Sequence, residues 1–208
     1  MNIYKSEDKL EKVDFSDEIS AWLESDADKT LVGLDKVFGD RTFAILFMFM
    51  MATSALPIPT AGVTDVFAVV TIIFAFQMMF GRNSLWLPKR WRKMKLGKLF
   101  TKRLLPKLVK LLKWLEKFST PRMTWVFRGR TSDAIIGLIV AILAASTITA
   151  PPFSGLDTLP ALGIVVIAAG IILKDGVMAI AGLVIGIGGI VVQLLLGKAV
   201  IDLIQKVF

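Results

Sequence analysis

Two aspartates, Asp65 and Asp157, have the most notable chemistry in this 208-residue chain, because a long apolar run follows each of them. A carboxylate in an apolar segment is costly, so it is by default a candidate for binding a proton or a cation. Aspartate is also a preferred N-cap residue, and both interpretations stay open. The hydroxyls of Thr60, Thr64 and Thr158 are candidates to cap the same helix starts.

Prolines beside both aspartates predict that the apolar segments are broken there, because proline removes a backbone donor and clashes with the preceding turn. A break inside a bilayer leaves unpaired backbone groups that only protein or a water-filled cavity tolerates, and helix N-termini attract anions. The two breaks are therefore the predicted substrate site. The prolines assigned to them are Pro57, Pro59, Pro151, Pro152 and Pro160.

Further polar residues lie near the ends of the apolar runs. Gln77 is expected either to donate to a ligand or to hydrogen-bond between helices. Arg82 and Arg41 are candidates to hold a phosphate through paired hydrogen bonds near the breaks. For both of them, and for Arg122 and Arg130, anchoring at the membrane surface is the alternative.

The composition argues against an enzyme. The chain has no His and no Cys, which removes the commonest general base and the thiolate ligands. It also has no G-x-S-x-G nucleophile elbow, no P-loop and no metal-binding cluster. We therefore predict a protein without catalytic residues, bound metal or cofactor.

Charge and hydropathy divide the chain into blocks. Residues 1–41 carry eleven acids and six bases, whereas residues 82–130 carry sixteen bases and one acid. Overall, 55% of the residues are hydrophobic, more than in a typical soluble domain. The predicted units are an acidic arm, a first hairpin, a basic segment, a second hairpin and a final helix with its tail, at residues 1–41, 42–81, 82–130, 131–176 and 177–208.

Most of the apolar runs are short for a membrane span. Residues 42–56, 66–80, 135–148 and 159–173 each reach roughly 22 Å as a helix, against a hydrocarbon core of about 30 Å. Only residues 177–196 are expected to cross alone. In that run Gly182 and Gly186 have the small-xxx-small spacing of close helix packing, which also makes a homodimer reasonable.

The two hairpins look like copies of each other. Sliding residues 52–65 onto residues 144–157 pairs Ala52 with Ala144, Ser54 with Ser146, Pro59 with Pro151 and Asp65 with Asp157. The predicted fold is therefore an all-α polytopic integral membrane protein. It has two related, proline-broken hairpins that either span or re-enter, a final transmembrane helix and amphipathic interfacial helices.

The acidic arm and the basic segment are both predicted to be helical. Ser16 and Ser25 are the expected N-caps of the arm, and Gly39 is its expected stop. After Pro106, leucines line one face of a helix and lysines the other, which is typical of a helix on anionic lipid headgroups. The positive-inside rule places the N-terminus and residues 82–130 in the cytoplasm, and nucleic-acid binding is not expected between two membrane hairpins.

Four stretches carry a family resemblance: GDRTFAILFMFMMATSALPIP, AFQMMFGRNSLWLP, STPRM and TLPALGIVVIAAGIILKDGVMAIAG. In this order and spacing they resemble the ExoD family of exopolysaccharide-synthesis membrane proteins, from about Leu34 onward. The resemblance implies a small inner-membrane protein associated with exopolysaccharide production. Members of that family commonly have Asn where this chain has Asp157. A role that needs a negative charge at this position could therefore not be common to the whole family.

Two functions are consistent with these features. The first is a transporter or flippase for a polyprenyl-phosphate-linked or other anionic lipid, or for a small anion, with its site at the two breaks. The second is a scaffold of a polysaccharide-synthesis complex that transports nothing. The first predicts that Asp65 and Asp157 matter most, whereas the second predicts that the basic face and the acidic arm do.

Overall fold

A computed structural model describes residues 15–25, 30–39, 41–56, 63–81, 86, 105–117, 119–127, 129–151 and 154–207. Within these residues the chain is helical. The helices are α1 (Phe15–Glu24), α2 (Leu31–Phe38), α3 (Arg41–Ala52), α4 (Val63–Met79), α5 (Leu105–Glu116), α6 (Arg130–Thr149), α7 (Thr158–Leu173) and α8 (Gly176–Val207), with a 3₁₀ turn at Thr124–Phe127.

Four helices form two antiparallel hairpins that pack side by side. The first hairpin is α3 with α4, and the second is α6 with α7. Helix α4 packs on α6, and α3 packs on α7, so each hairpin contributes one helix to each contact. This exchange pattern is what two copies related by a twofold axis would show. Among the described residues, helices α3 and α7 supply half of the buried hydrophobic core, and nine of 12 and ten of 16 of their residues are buried.

The last helix, α8, packs along α7 through glycines. A Cβ added to Gly163 of α7 would lie 2.6 Å from the Cα of Gly186, and one added to Gly182 would lie 2.6 Å from the backbone N of Ile167. No side chain fits between backbones this close, so the glycines set the helix spacing. Gly182 and Gly186 therefore lie in a contact within the chain.

The two ends of the bundle differ. Helices α3 and α6 begin, and α4 and α7 end, around one shared pocket, which defines the pocket end. The hairpins turn at the opposite end, called here the break end. There the Gln193 amide of α8 donates to the Ser146 carbonyl at 3.1 Å and to the Thr149 hydroxyl at 2.9 Å. Helix α8 continues through residues 194–207, about 21 Å farther.

An outer layer at the pocket end joins the acidic arm to the basic segment. The backbone N–H and the hydroxyl of Ser16 in α1 donate to the Glu116 carboxylate of α5, at 2.9 and 2.5 Å. Lys113 of α5 also lies 3.4 Å from Asp17. Phe15 pairs with Phe38 of α2 in an edge-to-face contact, which fixes α1 on the bundle.

Three local expectations need correction. Ser25 follows α1 instead of capping a helix, and Thr30 is the N-cap of α2, accepting the Gly33 N–H at 3.0 Å. Ser16 lies inside α1 and caps nothing, because its donors are directed to Glu116. Pro160 does not break a helix: it lies in the first turn of α7, where no backbone donor is needed. Gly39 ends α2 as predicted.

The expectation that only the last run is long enough to cross a membrane is also wrong. By length and composition, both α6 and residues 176–198 of α8 qualify. Helix α6 gains its length at its start, because Arg130, Thr131, Ser132 and Asp133 belong to the helix although they are polar. Helices α3, α4 and α7 are shorter, with 12, 17 and 16 residues, and α3 reaches only about 18 Å.

Candidate functional site

Several residues of the predicted site lie outside the described part of the chain. These are Pro57, Pro59, Thr60, Arg82 and Pro152. Pro151 is exposed just after α6. The first break is seen only at its start, where Ser54 is buried and its hydroxyl has no hydrogen-bond partner among the described residues.

The two aspartates lie at the break end, at the starts of two helices that share α3 and α6 as neighbours. Asp65 is exposed in the first turn of α4, which packs on α3 and α6. Asp157 precedes α7, which packs on α3, α6 and α8. Asp157 occupies the N-cap position, but its side chain makes no capping hydrogen bond. Thr64 and Thr158 both belong to the helices that they were expected to cap.

Gln77 has a defined structural contact. Its side-chain oxygen accepts the backbone N–H of Trp86 at 2.8 Å. This bond ties the chain that leaves α4 back onto the last turns of that helix. Gln77 lies near the pocket end, because it is two residues before the end of α4.

Arg41 lies at the opposite end of the bundle from the predicted site. It is the first residue of α3, whereas the first break follows α3, so the length of the helix separates them. Arg41 instead lines the shared pocket, whose volume is about 550 Å³. Arg130 and Lys174 line it as well, together with the single carboxylate of Asp133.

The pocket has a charged rim and an apolar floor. The floor and walls are supplied by side chains from all four hairpin helices and from the segment before α6: Phe43, Met78, Phe127, Ile136 and Ile171. Three cations against one carboxylate leave a net charge of +2 on the lining. A cavity with these two parts fits an amphiphile with an anionic head.

Two of the three cations are held in place by neighbouring groups. The Arg41 guanidinium lies 4.6 Å from the centre of the Phe15 ring and 3.7 Å from the Glu18 carboxylate, both on α1. The Arg130 guanidinium donates to the Phe80 carbonyl at 3.3 Å, at the end of α4. Each arginine therefore bridges separate elements and is oriented before any ligand binds.

The placement of the arginines is electrostatically unusual. Arg41 and Arg130 are the first residues of α3 and α6, where the helix dipole disfavours cations and favours anions. Helix α3 has no acid in its first turn, and the Glu18 carboxylate of α1 lies 3.7 Å from the Arg41 guanidinium. An anion bound between the two helix starts would relieve this unfavourable arrangement.

Gly81 allows Arg130 to reach its position. Gly81 has a φ of +67°, and a Cβ there would lie 2.7 Å from Nε of Arg130. We expect Gly81→Ala to lower the free energy of unfolding by about 1–2 kcal/mol through backbone strain and to displace the Arg130 side chain. Thermal unfolding measures the first effect, and anion binding measures the second.

The control is Gly39→Ala. Gly39 also has a positive φ, +51°, but no atom lies within 4 Å of its Cβ position. Strain should therefore lower its stability with no change in anion binding. Equal binding losses in the two variants would contradict a specific role of Gly81 in placing Arg130.

Sequence reasoning missed the pocket because it placed Arg41 near the breaks, considered Arg130 singly and did not consider Lys174. A signal was present: Gly39-Asp40-Arg41-Thr42 and Gly129-Arg130-Thr131 give the two hairpins similar beginnings. The role of Asp175 was also missed. Its Oδ1 accepts the N–H groups of Val177 and Met178, at 3.0 and 3.3 Å, and its Oδ2 accepts the Ser119 hydroxyl at 3.1 Å.

Comparison with known proteins decides the family. Residues 15–195 match the family model described as "Exopolysaccharide synthesis, ExoD". The chain belongs to the ExoD family. The match includes both hairpins and the pocket residues, so ExoD membership links this architecture to exopolysaccharide synthesis. Together with the two helices of spanning length, it indicates a membrane protein.

The chain is also similar to two individual proteins. The chain is 30% identical over 148 residues to Uncharacterized protein slr1875 of Synechocystis sp. (strain ATCC 27184 / PCC 6803 / Kazusa), covering 71% of this chain and 69% of the relative. It is 27% identical over 150 residues to Protein ExoD of Rhizobium meliloti (strain 1021), covering 69% of this chain and 60% of the relative. No solved structure matches the chain.

Proposed function

We propose that this ExoD-family chain is a polytopic membrane protein that binds the phosphate of an anionic lipid in the pocket and moves that lipid in support of exopolysaccharide synthesis. The observation that carries the proposal is the convergence of Arg41, Arg130 and Lys174 above an apolar floor. Arginine binds phosphate oxygens through paired hydrogen bonds, and an apolar floor accommodates an acyl or prenyl chain. A free inorganic anion has no apolar chain that could contact this floor.

The outer faces of the bundle support a membrane location. Val66 and Ile73 of α4 are 61% and 51% exposed, and Phe80 just after this helix is 64% exposed. Comparable residues line the outer faces of α6 and α8. Exposed apolar surface of this extent on three neighbouring helices is unfavourable in water. In a bilayer the same surface contacts acyl chains, so the proposal has both hairpins crossing it.

The pocket end is proposed to face the cytoplasm. Helix α5 lies at this end, with Lys107, Lys110 and Trp114 exposed. Basic residues with tryptophans are typical of the headgroup region, and an excess of lysine and arginine marks the cytoplasmic side. A lipid phosphate at headgroup depth would then meet the three cations directly.

Movement of the lipid is the finer part of the proposal. Two hairpins that exchange contacts form the kind of duplicated arrangement that rocks around a shared site in transporters. The pocket would receive the headgroup at one membrane surface, and the breaks would release it near the other. Asp65 and Asp157 would then act late on this path, as groups that respond to a proton or a cation.

The test combines binding with transport, using purified full-length protein. Native mass spectrometry should show at least tenfold more bound phosphatidic acid than bound phosphatidylcholine of the same acyl chains. Reconstituted liposomes should then scramble a fluorescent phosphatidic acid, as measured by dithionite bleaching. Equal binding of the two lipids would contradict the pocket assignment, and binding without scrambling would contradict transport.

A scaffold that transports nothing is the second candidate, favoured by the α1–α5 layer. This layer presents exposed lysines and Trp114 on a surface that no other described element covers. The scaffold function predicts that Lys107→Glu with Lys110→Glu abolishes polysaccharide production while phosphatidic acid still binds. Normal production in that double variant would contradict it.

A further inference from the structure

Lys174 has a backbone conformation that its side chain makes costly. Its φ and ψ are 55° and 34°, in the left-handed region that L-residues other than Asn and Asp rarely occupy. At the matching exit from the first hairpin the chain has glycine, with Gly81 at a φ of +67°. Glycine is the usual residue at such helix ends, because it has no Cβ to clash.

The turn itself does not need a lysine. The N–H groups of Lys174 and Asp175 donate to carbonyls of the last turn of α7, Ile171 and Gly170, at 3.3 and 2.8 Å. Asp175 caps α8, and the Gly176 N–H donates to the Arg122 carbonyl at 2.8 Å. All of these contacts use other residues or the backbone, so glycine at position 174 would form the same turn with less strain.

The Lys174 ammonium is available for a ligand. The side chain is exposed on the rim of the pocket, and within the described residues it has no ion-pair partner. By contrast, Arg41 is paired with Glu18, and Arg130 bonds to the Phe80 carbonyl. Of the three rim cations, Lys174 is therefore the one whose charge is least compensated by protein groups among the described residues.

We infer that Lys174 binds a terminal phosphate, and that it makes the pocket select lipids with a phosphate monoester or diphosphate over lipids with a phosphodiester. The inference rests on the proposed function. A terminal phosphate carries about −1.5 to −2 charges at neutral pH, which matches the net +2 of the lining. A phosphodiester carries one negative charge and has one fewer free oxygen, so it leaves the third cation without a partner.

The test compares phosphatidic acid with phosphatidylglycerol of the same acyl chains, each in nanodiscs with the full-length protein. The wild type should prefer phosphatidic acid by about tenfold, the contribution of one charge-assisted hydrogen bond. Lys174→Gly should lose this preference and yet melt about 2–4 °C higher, because the strain is gone. Lys174→Arg should keep the preference.

Lys174→Met separates charge from strain. It keeps the Cβ and removes the ammonium, so it should lose the preference without the gain in melting temperature. An unchanged preference in Lys174→Gly overturns the inference about Lys174 and leaves the proposed function standing. A lower melting temperature of Lys174→Gly overturns the strain argument. A wild type that binds phosphatidic acid no better than phosphatidylcholine overturns the proposed function itself.

Discussion

Gly163→Ala should strongly destabilise the folded protein. The added Cβ would lie 2.6–2.8 Å from three backbone atoms of α8, those of Gly186 and Gly182, which cannot rotate away as a side chain can. Helices α7 and α8 would have to separate along their whole contact, and α7 also packs on α3 and α6. We expect a loss of about 3 kcal/mol or more, at the upper end of overpacking costs. The melting temperature of the purified protein should fall by roughly 6–12 °C.

Gly188→Ala is the matched control for this prediction. Gly188 lies in α8 six residues after Gly182, but no atom lies within 4 Å of its Cβ position. Alanine is a better helix former than glycine, so the variant should be as stable as the wild type or up to about 1 kcal/mol more stable. Equal melting temperatures of the two variants would mean that α7 and α8 are not held at the spacing seen here.

Arg41→Gln combined with Arg130→Gln should abolish binding of phosphatidic acid. Each guanidinium can supply charge-assisted hydrogen bonds worth about 1.5–3 kcal/mol, which corresponds to about 10–100-fold in affinity for each residue. The pair should therefore lose roughly a thousandfold, below detection in native mass spectrometry. The melting temperature must be measured in parallel, because Arg41 also contacts Phe15 and Glu18.

The control carries the same change of charge away from the pocket. Lys107→Gln with Lys110→Gln removes two exposed positive charges from α5, and neither lysine lines the pocket. It should weaken binding only a few fold, and this loss should shrink as salt screens the general attraction. Equal losses in the two double variants would show that the affinity for phosphatidic acid depends on the net charge of the protein. They would contradict a specific site between Arg41 and Arg130.

The sequence predicted the positions of the helices better than the contacts between residues far apart in the chain. Apolar runs predicted the positions of α3, α4, α6 and α7, and Gly39 ends α2 where expected. The bond between Ser16 and Glu116 joins residues 100 apart, and no local pattern encodes such a contact. The left-handed Lys174 was equally hidden, because its turn depends on Asp175, Ser119 and Arg122, which the fold brings together.

The misplaced Arg41 has a simpler cause. An antiparallel hairpin puts the residue before its first helix and the residue after its second helix at the same end. Arg41 begins α3, so it had to lie at the end opposite the break that follows α3. The expected cluster of Arg41 with Asp65 treated residues close in sequence as close in space, although a helix of 12 residues separates them.

Because α8 is long, a small tilt of this helix would give a measurable displacement of its end. The helix is fixed to α7 as far as Gly189, which packs on Pro160, and to α6 by Gln193. Beyond that point it is a lever about 21 Å long, so a tilt of about 10° would carry its tip by about 4 Å. A spin label near Gln205, close to the end of α8, would therefore magnify any rocking of the hairpins into a distance that pulsed resonance can read.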